Sequence, residues 1–329
     1  MERNSAGRAR RCGRGREARA EPVRAAAGRS RGAAGRPRDA ARRAVGTRGP
    51  RTARSGARWV RAVLLLCLGA GLIAASSAQA AWRELAPGFE FGRFAPPDRP
   101  GDSTIAIVRI DPQRWEVVLR CPQDGEEPAA RTARAWAQEE GLAAATNAGM
   151  YATDFRTHIG YLQCGGLRPA PRRNAYQSLA VFEPVEEGLP PFRIHDLDAG
   201  ADLAALSRGY RHLAQNLRLI KRPGENRWSE EGQAWSEAAL GEDASGRLLF
   251  LFCRSAYPMR ALNRILLDLP IGLVAAQHLE GGPQAQLFLD CGGVKIELSG
   301  AVEKDVRTEG IETGAWPVPN LIGVRPRAR

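Results

Sequence analysis

The twelve residues IGLVAAQHLEGG, at positions 271–282, join an apolar run to a carboxylate and a pair of glycines. The run 271–276 is long enough for a buried strand or a short helix, so a rigid element would deliver Glu280 to the protein surface. Gly281 and Gly282 have no Cβ, and the backbone after Glu280 can therefore turn sharply or approach a ligand closely. The alternative interpretation is a plain turn with a solvated glutamate.

The chain around this stretch predicts short strands with few helices between them. Two β-branched runs, 104–110 and 115–120, are joined by a turn that contains proline, which predicts a hairpin. Further strands are predicted at 178–182, 192–195, 217–220 and 247–253, the last of them central in its sheet. Helices are predicted at 129–140, 202–210 and 258–269. This order predicts an α+β fold, a single domain with a mixed, mostly antiparallel sheet and a few packed helices.

A second acid with a glycine pair, at 289–293, is followed at once by an alternating strand at 294–298. This pattern favours a hairpin turn over a second site.

Charge is unevenly distributed along the 329 residues, whose formal total is +12. Residues 1–80 contain 19 arginines and 4 acidic residues, whereas residues 81–329 contain 29 basic and 32 acidic residues. A total of +12 would suggest a nucleic-acid partner, but the part of the chain that is able to fold is mildly acidic. We therefore expect no nucleic-acid partner.

The first 80 residues divide into a leader and an export signal. Residues 1–58 are mainly Arg, Ala and Gly, which predicts a disordered Arg-rich leader. An export signal needs only a short basic leader, so we expect translation to start later than Met1. Residues 59–80 predict a signal peptide, because basic residues precede an apolar run at 62–75 and a small-x-small cleavage site at 78–80. A single-span anchor is the alternative, although a span needs roughly 20 apolar residues.

Residues 81–329 are then expected to form one exported domain, periplasmic or extracellular, related to the membrane only through its export signal. This part contains Cys121, Cys164, Cys253 and Cys291. In an oxidising compartment they could form two disulfides, with three connectivities between which the sequence does not choose. Buried free thiols are the alternative. We expect at least one disulfide.

Several short motifs follow one another in the order that is typical of one family. They are Asn147-Ala148-Gly149-Met150-Tyr151, Asp154, Gly160-Tyr161, Gln215-Asn216-Leu217, Trp235-Ser236-Glu237-Ala238-Ala239-Leu240-Gly241 and His278-Leu279-Glu280-Gly281-Gly282. Between about residues 100 and 300 the chain thereby resembles the phosphodiester glycosidase domains. The resemblance implies hydrolysis of a sugar that is joined through its anomeric carbon to a phosphodiester. Its partner would be a carbohydrate, a glycolipid or a cell-envelope phosphodiester.

Such a reaction needs an acid or base beside the anomeric carbon, polar groups that hold sugar hydroxyls, and donors for the phosphate. The resemblance implies that Glu280 and Glu237 are the catalytic carboxylates, with Glu280 carrying the essential step. The predicted substrate-binding residues are Asn147, Gly149, Met150, Tyr151, Asp154, Gln215, Asn216, Ser236, His278, Gly281 and Gly282. Candidates for contact with the phosphate are Arg156, His158, Arg218 and His278.

The chain departs from the family pattern at both catalytic positions. Many members have Asp-Gly-Gly followed by Gly or Ser, where this chain has Glu280-Gly281-Gly282-Pro283. Members commonly have Arg-Thr where this chain has Ser236-Glu237, and replacing a cation by an anion could remove a phosphate partner. The alternative function is therefore a non-catalytic carbohydrate-binding or envelope-structural domain that retains the fold.

We expect no metal and no organic cofactor. No His, Cys or carboxylate cluster has ligand spacing, and no nucleotide-binding glycine motif opens a helix. His195, Asp196 and Asp198 lie close together in the sequence, but no second histidine is near and a helix cap is needed at this point.

Overall fold

The computed structural model describes residues 82–96, 104–121, 131–229, 232–301 and 314–328. All of them belong to one unit, Ala74–Arg329. The predicted leader 1–58 and signal peptide 59–80 lie outside the described residues. Within the described ranges, no helix is both long enough and apolar enough to cross a bilayer.

The described part of the chain contains eighteen strands and three α-helices. The strands are β1 (Arg83–Ala86), β2 (Phe89–Phe94), β3 (Ile105–Ile110), β4 (Trp115–Arg120), β5 (Ala144–Asn147), β6 (Leu162–Cys164), β7 (Leu167–Ala170), β8 (Ser178–Pro184), β9 (Phe192–Asp196), β10 (Tyr210–Asn216), β11 (Arg218–Lys221), β12 (Glu225–Asn226), β13 (Ala234–Asp243), β14 (Leu248–Pro258), β15 (Leu273–Gly281), β16 (Gln286–Cys291), β17 (Val294–Ser299) and β18 (Leu321–Pro326). The helices are α1 (Ala133–Glu140), α2 (Leu203–Gly209) and α3 (Met259–Asp268).

The strands form three sheets, and every pairing among the described strands is antiparallel. An eight-stranded sheet has the order β1-β2-β3-β14-β13-β15-β11-β12. Two five-stranded sheets have the orders β7-β6-β10-β8-β9 and β17-β16-β5-β18-β4. The predicted α+β class with mostly antiparallel pairing is confirmed, and its strands are divided among three sheets. The predicted central strand is β14, which lies between β3 and β13.

The predicted hairpin between 104–110 and 115–120 is wrong. Both strands form, but β3 pairs with β2 and β14, whereas β4 pairs with β18 in another sheet. Almost every residue of both strands is buried, so each needs neighbours and packing that a two-stranded ribbon would not provide. The second predicted hairpin does form, since β16 pairs with β17 across Gly292 and Gly293, both with positive φ.

Local sequence explains how the helices begin and end. α1 follows Thr132, whose hydroxyl accepts a hydrogen bond from the Ala135 N–H at 3.2 Å, and ends at Gly141 in the left-handed conformation. α2 follows an acidic cap, Asp202, whose carboxylate accepts bonds from two N–H groups in the first turn. α3 follows Pro258.

The main hydrophobic core lies between the three sheets. Phe89 and Phe250 of the eight-stranded sheet, Phe182 of the second sheet and Leu287 and Val324 of the third are buried in it. α3 packs on the opposite face of the eight-stranded sheet, while α1 and α2 each cover one of the smaller sheets. The sheets thus bury apolar residues on both faces, and the polar motifs are found where strands end.

Candidate active site

The ends of four strands meet at one corner of the molecule. β13 and β15 pair so that Glu237 lies opposite Gly281. The His278 N–H donates to the carbonyl of Leu217, directly after β10, at 2.8 Å. Past the glycine pair, the Gln286 N–H donates to the Asn147 side chain, at the end of β5, also at 2.8 Å. Motifs that are far apart in the sequence therefore come together at this corner.

Glu237 and His278 form a buried pair. The His278 Nδ1 lies 2.7 Å from Glu237 Oε1, and the Trp235 indole N–H donates to Glu237 Oε2 at 3.3 Å. Burial raises the pKa of Glu237, while the interactions with His278 oppose that rise. Burial lowers the pKa of His278, but the negative charge and hydrogen bond of Glu237 outweigh it, so that the pKa of His278 is raised. The pair can therefore bind or release a proton.

Glu280 follows an irregularity in the ladder between β13 and β15. Ala238 lies opposite Glu280 and Ala239 lies opposite His278, so Leu279 is an extra residue on β15. A bulge of this kind changes the direction of the following side chain. It separates the orientation of Glu280 from that of His278, two residues earlier, although both belong to the same strand.

The carboxyl of Glu280 has little to compensate its burial. Within the described ranges, its buried Oε2 has no hydrogen-bond partner, and its Oε1 makes only a long contact of 3.5 Å with the Gly281 N–H. Burial raises the pKa of Glu280 to about 7, against a weaker opposing effect of His278. Burial and, to a smaller extent, the charge of Glu280 raise the pKa of Tyr151 to about 12. A carboxyl with this pKa is suited to proton transfer at neutral pH.

At two positions of the motifs, neighbouring side chains lie so close to the backbone that only glycine fits. A Cβ on Gly281 would lie 2.8 Å from the Trp235 ring, and one on Gly149 would lie 2.1 Å from Asn216 Oδ1. Gly149 also has a φ of 146°, which residues with a side chain rarely adopt. Gly282, with a φ of 60°, opens the short 3₁₀ turn Gly282–Gln284.

Three of the predicted amide side chains hold backbone in place. Asn147 is fully buried, accepts from the Gln286 N–H and donates to the Gln284 carbonyl at 2.7 Å. Gln215 accepts from the Tyr161 N–H at 2.9 Å and also binds the segment 174–176. Asn216 donates to the Ala148 carbonyl at 2.9 Å, and its Oδ1 is buried without a partner. These residues shape the loops of the site.

Other predicted residues lie at the edge of the site or point away from it. The Ser236 hydroxyl bonds to the Arg254 carbonyl and accepts from the Ala301 N–H at 3.0 Å. Asp154 is exposed and organises a tight turn. The Met150 carbonyl accepts from the Ile159 N–H at 2.8 Å, so this residue supports the same loop through its backbone.

Of the phosphate candidates, Arg218 is already paired. It bonds to Asp196 at 3.0 Å and to Asp198 at 2.7 Å. The same two aspartates had been considered as metal ligands with His195, and their oxygens bind cationic side chains instead. Across the described residues, no group of three or more His, Cys, Asp or Glu side chains is arranged to hold a metal ion.

Comparison with known proteins identifies the family. The family model for phosphodiester glycosidase matches residues 140–325. The chain belongs to the phosphodiester glycosidase family. No curated protein has a sequence that matches this one.

Comparison with solved structures finds the fold of this phosphodiester glycosidase domain in a zebrafish enzyme at low identity. The catalytic domain of zebrafish N-acetylglucosamine-1-phosphodiester alpha-N-acetylglucosaminidase, auto-inhibited by its pro-peptide, is 15% identical with a TM-score of 0.53. The match covers 76% of this chain and 87% of the zebrafish chain. A hypothetical protein from Synechocystis is 13% identical with a TM-score of 0.49, over 77% of this chain and 65% of the other.

Within this family domain, the structure explains one departure from the family pattern. Ser236-Glu237 stands where members commonly have Arg-Thr, and Glu237 is buried against His278 rather than exposed. The two residues compensate each other, because a buried carboxylate needs a hydrogen-bond donor and His278 supplies one.

Sequence reasoning missed Asn320, which lies in the segment 314–328 after the last motif. It is fully buried, its Nδ2 lies 3.2 Å from His158 Nδ1, and its Oδ1 has no partner. His158 Nε2 lies 3.0 Å from the Gln215 carbonyl, so that Nε2 carries the hydrogen and Nδ1 accepts from Asn320. Burial lowers the pKa of His158 to about 4, so it is neutral. No motif marks Asn320, and only the pairing of β18 with β5 brings it to the site.

A cavity of about 380 Å³ adjoins the pair of Glu237 and His278. Its lining includes Tyr176, Leu217, Trp228, Trp235 and Met259. Trp235 is shared, because it lines the cavity and also bonds to Glu237. Trp235 therefore connects the pair of Glu237 and His278 to the cavity.

Proposed function

We propose that this protein is an exported hydrolase that cleaves a sugar from a phosphodiester-linked aglycone. The observation that carries the proposal is Glu280, a mostly buried carboxyl with an unpartnered oxygen and a pKa raised to about 7 by burial. It occupies the position that the family resemblance assigns to the essential acid. The pair of Glu237 and His278 provides a second group that can transfer a proton at the same corner.

In the proposed reaction, water attacks the anomeric carbon, and the bond from that carbon to the bridging phosphate oxygen breaks. Protonated Glu280 donates its proton to this oxygen as the phosphomonoester leaves. His278 accepts a proton from the attacking water through Nε2, because its Nδ1 is directed at Glu237. The charge of Glu237 stabilises the imidazolium that forms.

A carbohydrate-binding domain without turnover is the second candidate, and one observation favours it. Arg218, the arginine nearest in sequence to the Gln215-Asn216 motif, is occupied by Asp196 and Asp198. Ser236-Glu237 occupies the place of the Arg-Thr pair that is common in the family, so the cation of that pair is missing and an anion is present. Both changes weaken the binding of a phosphate by cationic side chains.

Two features support export to the periplasm or beyond. The sequence 59–80 has the pattern of a signal peptide. Cys121 and Cys164 form a disulfide, which is typical of oxidising compartments. N-terminal sequencing of the protein from its native compartment should begin near Ala81. An intact residue 1–58 segment would contradict export through this signal.

The decisive experiment compares two acids that each precede a glycine pair. The substrates are methyl phosphodiesters of common hexose 1-phosphates, and the products measured are reducing sugar and phosphomonoester. Glu280→Gln should reduce kcat by roughly 10²–10⁴-fold, which is the usual contribution of a general acid or base. Asp290→Asn is the matched control, since Asp290 is exposed and pairs only with Lys295 among the described side chains.

Thermal melts establish that both variants are folded. A folded Glu280→Gln protein with the kcat of the wild type would rule out the role assigned to Glu280. Sugar binding without hydrolysis of any diester would favour the second candidate.

A further inference from the structure

Phe155 combines two unfavourable features in the loop that leads from Tyr151 to His158. Its side chain is 50% exposed, and its φ is 55°, in the left-handed region that a bulky residue rarely adopts. An exposed phenyl ring gains little from burial, and nothing in its own chemistry favours this backbone conformation. Such positions persist only when the surrounding structure enforces them, and they cluster at binding sites.

The loop around Phe155 enforces this conformation. The Asp154 carboxylate accepts hydrogen bonds from the N–H groups of Arg156 and Thr157 and from the Thr157 hydroxyl, at 2.5–3.0 Å. The Phe155 N–H donates to the Ala152 carbonyl at 3.0 Å, and the Ala152 N–H donates to the Thr157 carbonyl at 2.8 Å. The turn therefore holds the ring in one position.

The ring of Phe155 lies against Tyr151, which connects it to the proposed catalytic acid. Their centroids are 5.6 Å apart with an angle of 46° between the planes. The Tyr151 hydroxyl contacts the Pro317 carbonyl at 3.4 Å, and the carbonyl of the preceding Trp316 accepts from the side chain of Gln286, which follows the glycine pair after Glu280. Two adjacent rings therefore lie at the edge of the corner that contains Glu280.

The distribution of exposed apolar side chains singles out the same edge. The large hydrophobic side chains that are exposed within the described ranges are Phe155, Leu167, Val185 and Trp316. Both aromatic ones belong to this region, because Trp316 precedes Pro317 and its carbonyl accepts from the Gln286 side chain at 2.6 Å. Leu167 and Val185 lie on or beside strands of the second sheet instead.

We propose that Phe155 and Tyr151 form a stacking platform for a hexopyranose ring, with the anomeric carbon directed at Glu280. The apolar C–H face of such a ring is suited to two tilted aromatic planes, while its hydroxyls need the polar groups deeper in the site. The inference rests on the proposed function for the reaction, but it concerns sugar binding, which can be measured without turnover.

The test measures binding of methyl α-D-glucopyranoside and methyl N-acetyl-α-D-glucosaminide to the mature protein by saturation-transfer NMR and calorimetry. Phe155→Asn removes the ring and retains a residue that tolerates the left-handed conformation. It should weaken binding of at least one glycoside by roughly 3–10-fold, the usual size of an aromatic stacking contribution. Phe155→Tyr retains the ring and should bind nearly as the wild type does.

Leu167→Ala is the matched control, because Leu167 is as exposed as Phe155 but lies on β7. Equal affinity of wild type and Phe155→Asn for both glycosides would overturn the proposal, as would the absence of any glycoside binding. Self-association that Phe155→Asn abolishes, without a change in sugar affinity, would overturn it in favour of a contact between copies. Ring-dependent sugar binding without hydrolysis would support the platform and reject the proposed hydrolase.

Discussion

β13 carries a buried glutamate towards each of its ends, and the two are stabilised differently. Glu242 accepts from the Ile194 N–H at 2.8 Å and is paired with Arg222. Glu237 is paired with His278 at 2.7 Å. Burial raises the pKa of both carboxyls, and the cationic partner opposes the rise in each case. An arginine remains protonated in proteins, whereas a histidine can release its proton.

One strand thus combines a permanent ion pair at one end with a titratable pair at the other. At the Glu242 end, the partner Arg222 keeps its proton, so only the carboxyl can titrate there. The end near Glu280 has two carboxyls and one imidazole, so the number of protons that it holds depends on pH. Burial alone therefore does not separate a structural glutamate from a catalytic one, because the paired side chain decides whether the pair can release a proton.

The largest expected difference between the two ends is in turnover. Glu237→Gln preserves the shape of the side chain but removes the charge that raises the pKa of His278, and kcat should fall by roughly 10²–10⁴-fold. The acidic limb of the pH–rate profile should also move to lower pH, because the pKa of His278 falls. Glu242→Gln is the control and should retain the wild-type profile. An unchanged profile for Glu237→Gln would show that Glu237 does not act through His278.

The next expected effect is a loss of stability, and it is expected at the Glu242 end of β13 rather than at the Glu237 end. Glu242→Ala removes the carboxylate that Arg222 and the Ile194 N–H share, and leaves a partly buried guanidinium uncompensated. Breaking such a pair typically costs about 3–5 kcal/mol. Urea unfolding should show this loss, while kcat of the folded fraction remains that of the wild type. A loss in kcat with unchanged stability would reverse the assignment of the two ends.

A third prediction uses the pH dependence of stability. The pKa of Glu280 is about 7 in the folded protein, above its ordinary value of 4.5. The stabilisation from its protonated form is therefore fully present below pH 4.5 and is lost as the pH rises through 7, by up to about 3 kcal/mol. Glu280→Gln remains neutral, so it should be more stable than the wild type above pH 7 and show less pH dependence. If the free energy of unfolding changed equally with pH in both proteins across this range, the prediction would be contradicted.

The smallest predicted effect concerns Asn147, which connects β5 to the turn after Gly282. Asn147→Ala would leave the buried Gln286 N–H without its acceptor and the Gln284 carbonyl without a donor. The free energy of unfolding should fall by about 1–3 kcal/mol. KM should change little, since this amide is already bonded on both sides. A large rise in KM with unchanged stability would instead assign Asn147 to the substrate.

The strands of the fold were largely predictable, but their partners were not. The run 247–253 predicted a central strand and β14 is one, because a continuous apolar run is stable only when both faces are buried. The turn 111–114 predicted a hairpin, yet it joins strands of different sheets. A turn is a local signal, whereas the pairing of β3 with β14 depends on burial between distant segments.

In the candidate site, too, local signals were predictable from the sequence and contacts between distant segments were not. The glycine pair after Glu280 and the order of the motifs indicated where the site is and which residues to test. The bond between Glu237 and His278 was not predictable, since it depends on the register of β13 against β15 and on the bulge at Leu279. Asn320 carries no local signal at all.

The sequence by itself determined the α+β class, the most buried strands, the helix caps and the family. These follow from local patterns and short motifs, which act over a few residues. Tertiary structure decided which cysteines pair, which aromatic side chains remain exposed beside Glu280, and which of two buried glutamates has a partner able to release a proton. These depend on contacts between residues far apart in the chain. Burial raises the pKa of Glu280 and makes hydrogen-bond partners necessary for buried polar groups, and it exists only once the sheets have packed.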